Sequence, residues 1–138
     1  MKSLICILSF LSFFILFNKT FAQTKKNIQG TWRLMSSTIS GSDWSFKMDS
    51  STHNMTKIIT SGRVTFTLYN KATDSLEITG QGRATTKGNQ YIETFEQSND
   101  KGLLKEPIMY TYKVVGNKLS YEGGTKDLHI VEVLKRIE

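Results

Sequence analysis

The chain has 138 residues and a formal charge of +6, with one cysteine, two histidines and one proline. That length suits one domain with one core. A lone cysteine excludes a disulfide framework and a thiolate metal site, and scattered lysines and arginines without a basic helix argue against nucleic-acid binding.

Lys2 gives a positive start, Leu4 to Phe17 is almost wholly apolar, and Thr20-Phe21-Ala22 supplies the small residues that a signal peptidase reads. This pattern predicts a signal peptide over residues 1–22, cleaved before Gln23. The apolar run is shorter than the about 20 residues a membrane span needs. No stable span is therefore expected in the mature domain, residues 23–138. Cys6 leaves with the signal, and Ser3-Leu4-Ile5 before it does not resemble a lipoprotein cleavage box. The expected location is the periplasm or the exterior of a Gram-negative bacterium. With no cysteine left, the core must hold by packing alone.

Ile28 to Ser37 reads as the first strand, with Gly30-Thr31-Trp32 near its start. Thr38 to His53 is rich in Ser, Asp and Gly and reads as a long connection, with Trp44, Phe46 and Met48 as a short strand or lid. Met55 to Thr60 and Arg63 to Tyr69 follow as strands two and three, joined at Ser61-Gly62. Val64, Phe66 and Leu68 alternate with polar neighbours, the mark of a strand buried on one face. Asn70 to Asp74 is a polar turn. Leu76 to Thr86 is the fourth strand, interrupted by Gly80 and Gly82, which signal a bulge, a bend or close backbone approach. Gly88-Asn89 turns the chain into Gln90 to Gln97. Ser98 to Glu106 is a loop ended by Pro107. Ile108 to Val115, Lys118 to Glu122 and Asp127 to Ile137 complete the set, with glycine turns between them. No helix is expected. The predicted fold is all-β: a single up-and-down antiparallel barrel of about eight strands.

With these residues in place, the chain resembles the lipocalin-like (calycin) domains of unknown function found in exported bacterial proteins. Gly30-Thr31-Trp32 resembles the Gly-x-Trp signature of lipocalins. Lys57-Ile58-Ile59-Thr60, Gly80 and Gly82, Gly88-x-x-Tyr91-x-Glu93 and Glu132-Val133-Leu134-Lys135-Arg136 follow in the matching order. The resemblance implies a barrel with a binding cavity, closed at one end by Trp32 packed against Arg136, with Gly30 beside them. It brings no established activity. Leu134 and Ala84 depart from the pattern, each standing where a larger aromatic is common. Any pocket is therefore expected to be lined differently.

Face parity supplies the candidate site. Tyr91, Glu93 and Phe95 share a face, as do Ile130, Glu132, Leu134 and Arg136, and their apolar members point both faces inward. Tyr110, Tyr112 and Tyr121 also fall at inward parity. Buried charge must be paired or solvated. An internal Glu–Arg pair that fixes closure is one reading; a polar anchor for a ligand head group is the other. In the second, Tyr91, Glu93, Tyr110, Tyr112 and Glu132 bind the ligand. Neither a metal-ligand spacing nor a cofactor motif involves His53 or His129. Glu93 and Glu132 as an acid–base pair would need room for a substrate that a small barrel rarely has. The expected function is therefore binding of a small apolar or amphipathic molecule rather than catalysis. The alternative is an envelope interaction module with a filled barrel that binds a protein or glycan through its loops.

Overall fold

The computed structural model describes residues 27–138. The predicted signal peptide, residues 1–22, and its cleavage site lie outside them. Nine strands form one antiparallel sheet: β1 (Gly30–Ser40), β2 (Ser45–Asp49), β3 (His53–Ile59), β4 (Arg63–Asn70), β5 (Ser75–Lys87), β6 (Gln90–Ser98), β7 (Ile108–Val115), β8 (Lys118–Gly124) and β9 (His129–Arg136). Pairing of β1 with β9 closes eight of them, all but β2, into an up-and-down barrel. One turn of 3-10 helix, Lys101–Leu104, interrupts the loop between β6 and β7. Asp100 caps it, accepting a hydrogen bond from the Gly102 amide at 2.8 Å.

The connection after β1 differs from its expected form. β1 runs on to Ser40, and its upper half pairs with β2 through Ser36↔Asp49 to Ser40↔Ser45. Its lower half pairs on the same side with β3, through Gly30↔Ile59 to Arg33↔Thr56. β2 and β3 are thus one wall segment broken by a turn at residues 50–52. Asp49 holds that turn, its carboxylate accepting from the Ser51 amide at 2.7 Å and from the Ser51 hydroxyl at 2.5 Å. The outer edge of β2 pairs with no strand among the described residues.

Three bulges shape the wall. Met35, Glu77 and Glu96 are each the extra residue between consecutive pairings on β1, β5 and β6. The bulge at Met35 reverses the parity of β1. Trp32 and Leu34 face inward below it, and Ser37 is buried above it. Gly82 lets β5 and β6 approach closely, because a Cβ there would collide with the Thr94 carbonyl oxygen and lie 2.6 Å from Phe95 Cα. In the two-residue turns 88–89 and 116–117, glycine alone takes the left-handed conformation, at φ 62° and 61°.

The closed end is packed solid. Trp32, Tyr91, Leu119 and Leu134 have no exposed surface there. Trp32 Nε1 donates to the Ile28 carbonyl at 2.8 Å, drawing residues 27–29 across the barrel's base. Arg136 covers Trp32 from outside, its guanidinium carbon 4.2 Å from the ring centroid. It also donates to the Asn27 carbonyl at 2.7 Å and to that of Gln29. Gly30, at φ 146°, leaves room for it, since a Cβ there would strike the guanidinium.

Candidate functional site

Above this plug the barrel is hollow. The cavity measures about 430 Å³ and is mostly apolar, walled by Met48, Met55, Phe66, Leu68, Ile78, Phe95, Ile108 and Ile130. Trp44, Phe46, Asp100, Leu103 and Leu128 line it from β2 and the loops at the open end. Trp44 and Phe46 are half exposed.

The floor is charged. Lys57 on β3 projects inward between Met55 and Ile59, and only 4 % of its surface is exposed. Its Nζ donates to Glu93 Oε1 at 2.8 Å and to the Tyr121 hydroxyl at 2.6 Å, and lies 3.8 Å from Glu132 Oε2. Tyr91 donates to the same Glu93 oxygen at 2.8 Å. The Tyr121 hydroxyl in turn donates to Glu132 Oε2, and Ser37 donates to Glu132 Oε1 at 3.1 Å. Among the described residues, no buried side-chain nitrogen or oxygen lacks a hydrogen-bond partner. Two carboxyl groups thus share one ammonium, with three hydroxyls completing the network.

Burial would lower the Lys57 pKa, but attraction to Glu93 and Glu132 outweighs it and holds the ammonium above its ordinary value. Tyr91, Tyr110 and Tyr121 are pushed well above the usual phenol range, first by burial and then by the neighbouring glutamates. Tyr110 stacks on Tyr91 at 5.9 Å and packs against Tyr121 at 4.6 Å between ring centroids.

Of the residues named from sequence, Glu93, Tyr110 and Glu132 line the cavity. Tyr91 sits behind Glu93 as its hydrogen-bond donor. Tyr112 lies outside the cavity lining, half buried and edge-on to Tyr91 at 6.3 Å. The partner of the two glutamates is Lys57, and the internal Glu–Arg pair is not formed. Arg136 shares their parity but lies four residues beyond Glu132, at the end of β9 on the closed rim, where it meets Trp32 and backbone carbonyls. Ala84 and Leu134 are both buried and neither lines the cavity. Lys57 was discoverable, since Met55, Lys57 and Ile59 alternate in step with the other inward faces.

No family model and no curated protein matches the chain. Among solved structures, an uncharacterized protein from Bacteroides eggerthii DSM 20697 is similar, with a TM-score of 0.49 and 14% identity. The match covers 80% of this chain and 99% of that one.

Proposed function

We propose that this is an exported lipocalin-like binding protein that holds a small amphipathic molecule in its barrel. The observation that carries the reading is the cavity itself: about 430 Å³ of apolar wall over a floor of buried, paired charge. Ligand pockets commonly combine an apolar lining with a few convergent polar groups. A barrel that only needed a core would gain from apolar side chains at Lys57, Glu93 and Glu132, because replacing a buried ion pair by packed hydrophobes is often neutral or stabilising. The open end, ringed by Trp44, Phe46 and Leu103, favours this reading over a filled barrel that acts only through its loops. Export rests on the charged, apolar and small-residue pattern of the first 22 residues.

The test is uptake of an apolar fluorescent dye, N-phenylnaphthylamine, by the purified protein. Saturable uptake with a change in Trp44 emission is expected, and that change should vanish in Trp44→Phe. A protein that takes up no dye, and carries no small molecule in native mass spectra when purified from its own host, would overturn the reading.

A further inference from the structure

The side chains around the cavity are unbalanced in charge. Glu77, Glu93, Asp100 and Glu132 line it, against Lys57 alone. These are four of the chain's 12 acidic residues and one of its 18 basic ones. The chain as a whole carries +6, so an acidic cavity is the reverse of what its composition would place there by chance.

The imbalance holds at both ends of the cavity. At the floor, the single ammonium is already engaged by Glu93 at 2.8 Å and by the Tyr121 hydroxyl at 2.6 Å, with Glu132 at 3.8 Å. A ligand carboxylate could reach Lys57 only by displacing a glutamate from it, and would meet two buried carboxyl groups in doing so. Toward the open end, Glu77 and Asp100 line the cavity with no basic side chain in the lining beside them; Glu77 accepts from Asn70 at 2.9 Å and Asp100 from the Gly102 amide at 2.8 Å, neutral donors that cancel neither charge. His53 lies 3.2 Å from Glu77, behind the lining. The walls add aromatic faces, Phe66 and Phe95 within and Trp44 and Phe46 at the opening, which attract cations. At the buried floor, where Lys57, Glu93 and Glu132 lie, charge interactions are stronger than in water.

We infer that the cavity selects an amphipath whose polar end is a cation, an organic amine, and rejects the matching carboxylate. This rests on the reading of the barrel as a small-molecule carrier. At roughly 30 Å³ for each water-sized group, the cavity accommodates about fourteen heavy atoms, the size of a medium-chain amine.

The experiment compares dodecylamine, dodecanol and dodecanoate as displacers of bound N-phenylnaphthylamine, each below its micelle concentration. The amine should displace the dye at about tenfold lower concentration than the carboxylate, with the alcohol between them. Adsorption to the protein's outer surface would give the opposite order, because that surface is basic. Equal displacement by all three, or a preference for dodecanoate, overturns the inference while leaving the carrier reading in place. Failure of the dye itself to bind overturns both.

Discussion

Lys57 Nζ lies 2.8 Å from Glu93 Oε1, with 5 % and 1 % of the two side chains exposed, so each charge relies on the other for most of its compensation. Removing one member of such a pair leaves the other desolvated and uncompensated. Lys57→Met should therefore destabilise the protein by about 3–5 kcal/mol in urea unfolding. Adding Glu93→Gln to that variant should recover at least about 1 kcal/mol, because it removes one of the two orphaned carboxylates. A double variant no more stable than Lys57→Met would contradict this account of the floor.

The plug at the closed end should be the other sensitive point. Trp32→Ala empties a fully buried aromatic site and its hydrogen bond to Ile28, and should cost about 3–5 kcal/mol. Arg136→Met keeps some of the packing but loses the cation–π contact and two bonds to the segment at residues 27–29. A smaller loss, about 1–2 kcal/mol, is expected. Dye uptake should survive Arg136→Met, since Arg136 does not line the cavity.

Alkaline pH should unfold the protein steeply. Lys57 has a raised pKa in the folded state, so its contribution is intact below its ordinary value of 10.5 and is lost as pH rises through the folded value. The phenols run in the same direction. Tyr91, Tyr110 and Tyr121 keep their protons when folded and release them when unfolded, so deprotonation above pH about 10 favours the unfolded chain. Each group contributes a slope of about 1.4 kcal/mol per pH unit once its unfolded form has titrated. The urea midpoint should fall sharply above pH about 10. Tyrosinate absorbance from these three residues should appear only together with unfolding; its appearance in the native protein near pH 10 would refute the assignment.

Gly82→Ala should destabilise by about 1–3 kcal/mol, the usual cost of forcing atoms into a packed site. Here the obstruction is backbone, the Thr94 carbonyl and Phe95 Cα, which cannot rotate aside. Gly80→Ala meets only the Phe66 and Phe95 rings, at 2.7 and 3.0 Å, and should cost less. Equal losses at the two positions, read from thermal melts, would show that strand spacing is not the constraint.

The barrel was legible wherever alternation ran unbroken. Val64-Phe66-Leu68, Tyr91-Glu93-Phe95 and Ile130-Glu132-Leu134 all face inward as their spacing implies. It failed where an extra residue entered a strand. The bulge at Met35 turns Ser37 inward onto Glu132, and no feature of Leu34-Met35-Ser36-Ser37 announces it. β2 was legible from Trp44, Phe46 and Met48 as a short strand, but the Ser, Asp and Gly around it hid that β1 runs on to Ser40 to pair with it. Lys57 shows its inward parity in the sequence but not its role. A lysine in an apolar strand is ordinarily a surface residue, and its buried role depends on two carboxylates from strands more than thirty residues away. The cavity follows from how eight strands close, which no single strand encodes.

The free outer edge of β2 divides the molecule into parts of unequal cooperativity. Each strand of the closed ring has a ladder on both sides, so releasing one breaks two and disrupts the closure. β2 is held by five pairings to β1, by burial of Met48 in the core, and by the edge-on contact of Phe46 with His53, 6.0 Å between ring centroids. It can lift away while β1 stays paired with β9 and the ring remains whole. Segments tied by so few bonds open locally at a free energy well below that of global unfolding. The strand carrying Phe46 and Met48, two walls of the cavity, is therefore the one whose release leaves the ring closed, at the cost of exposing Met48.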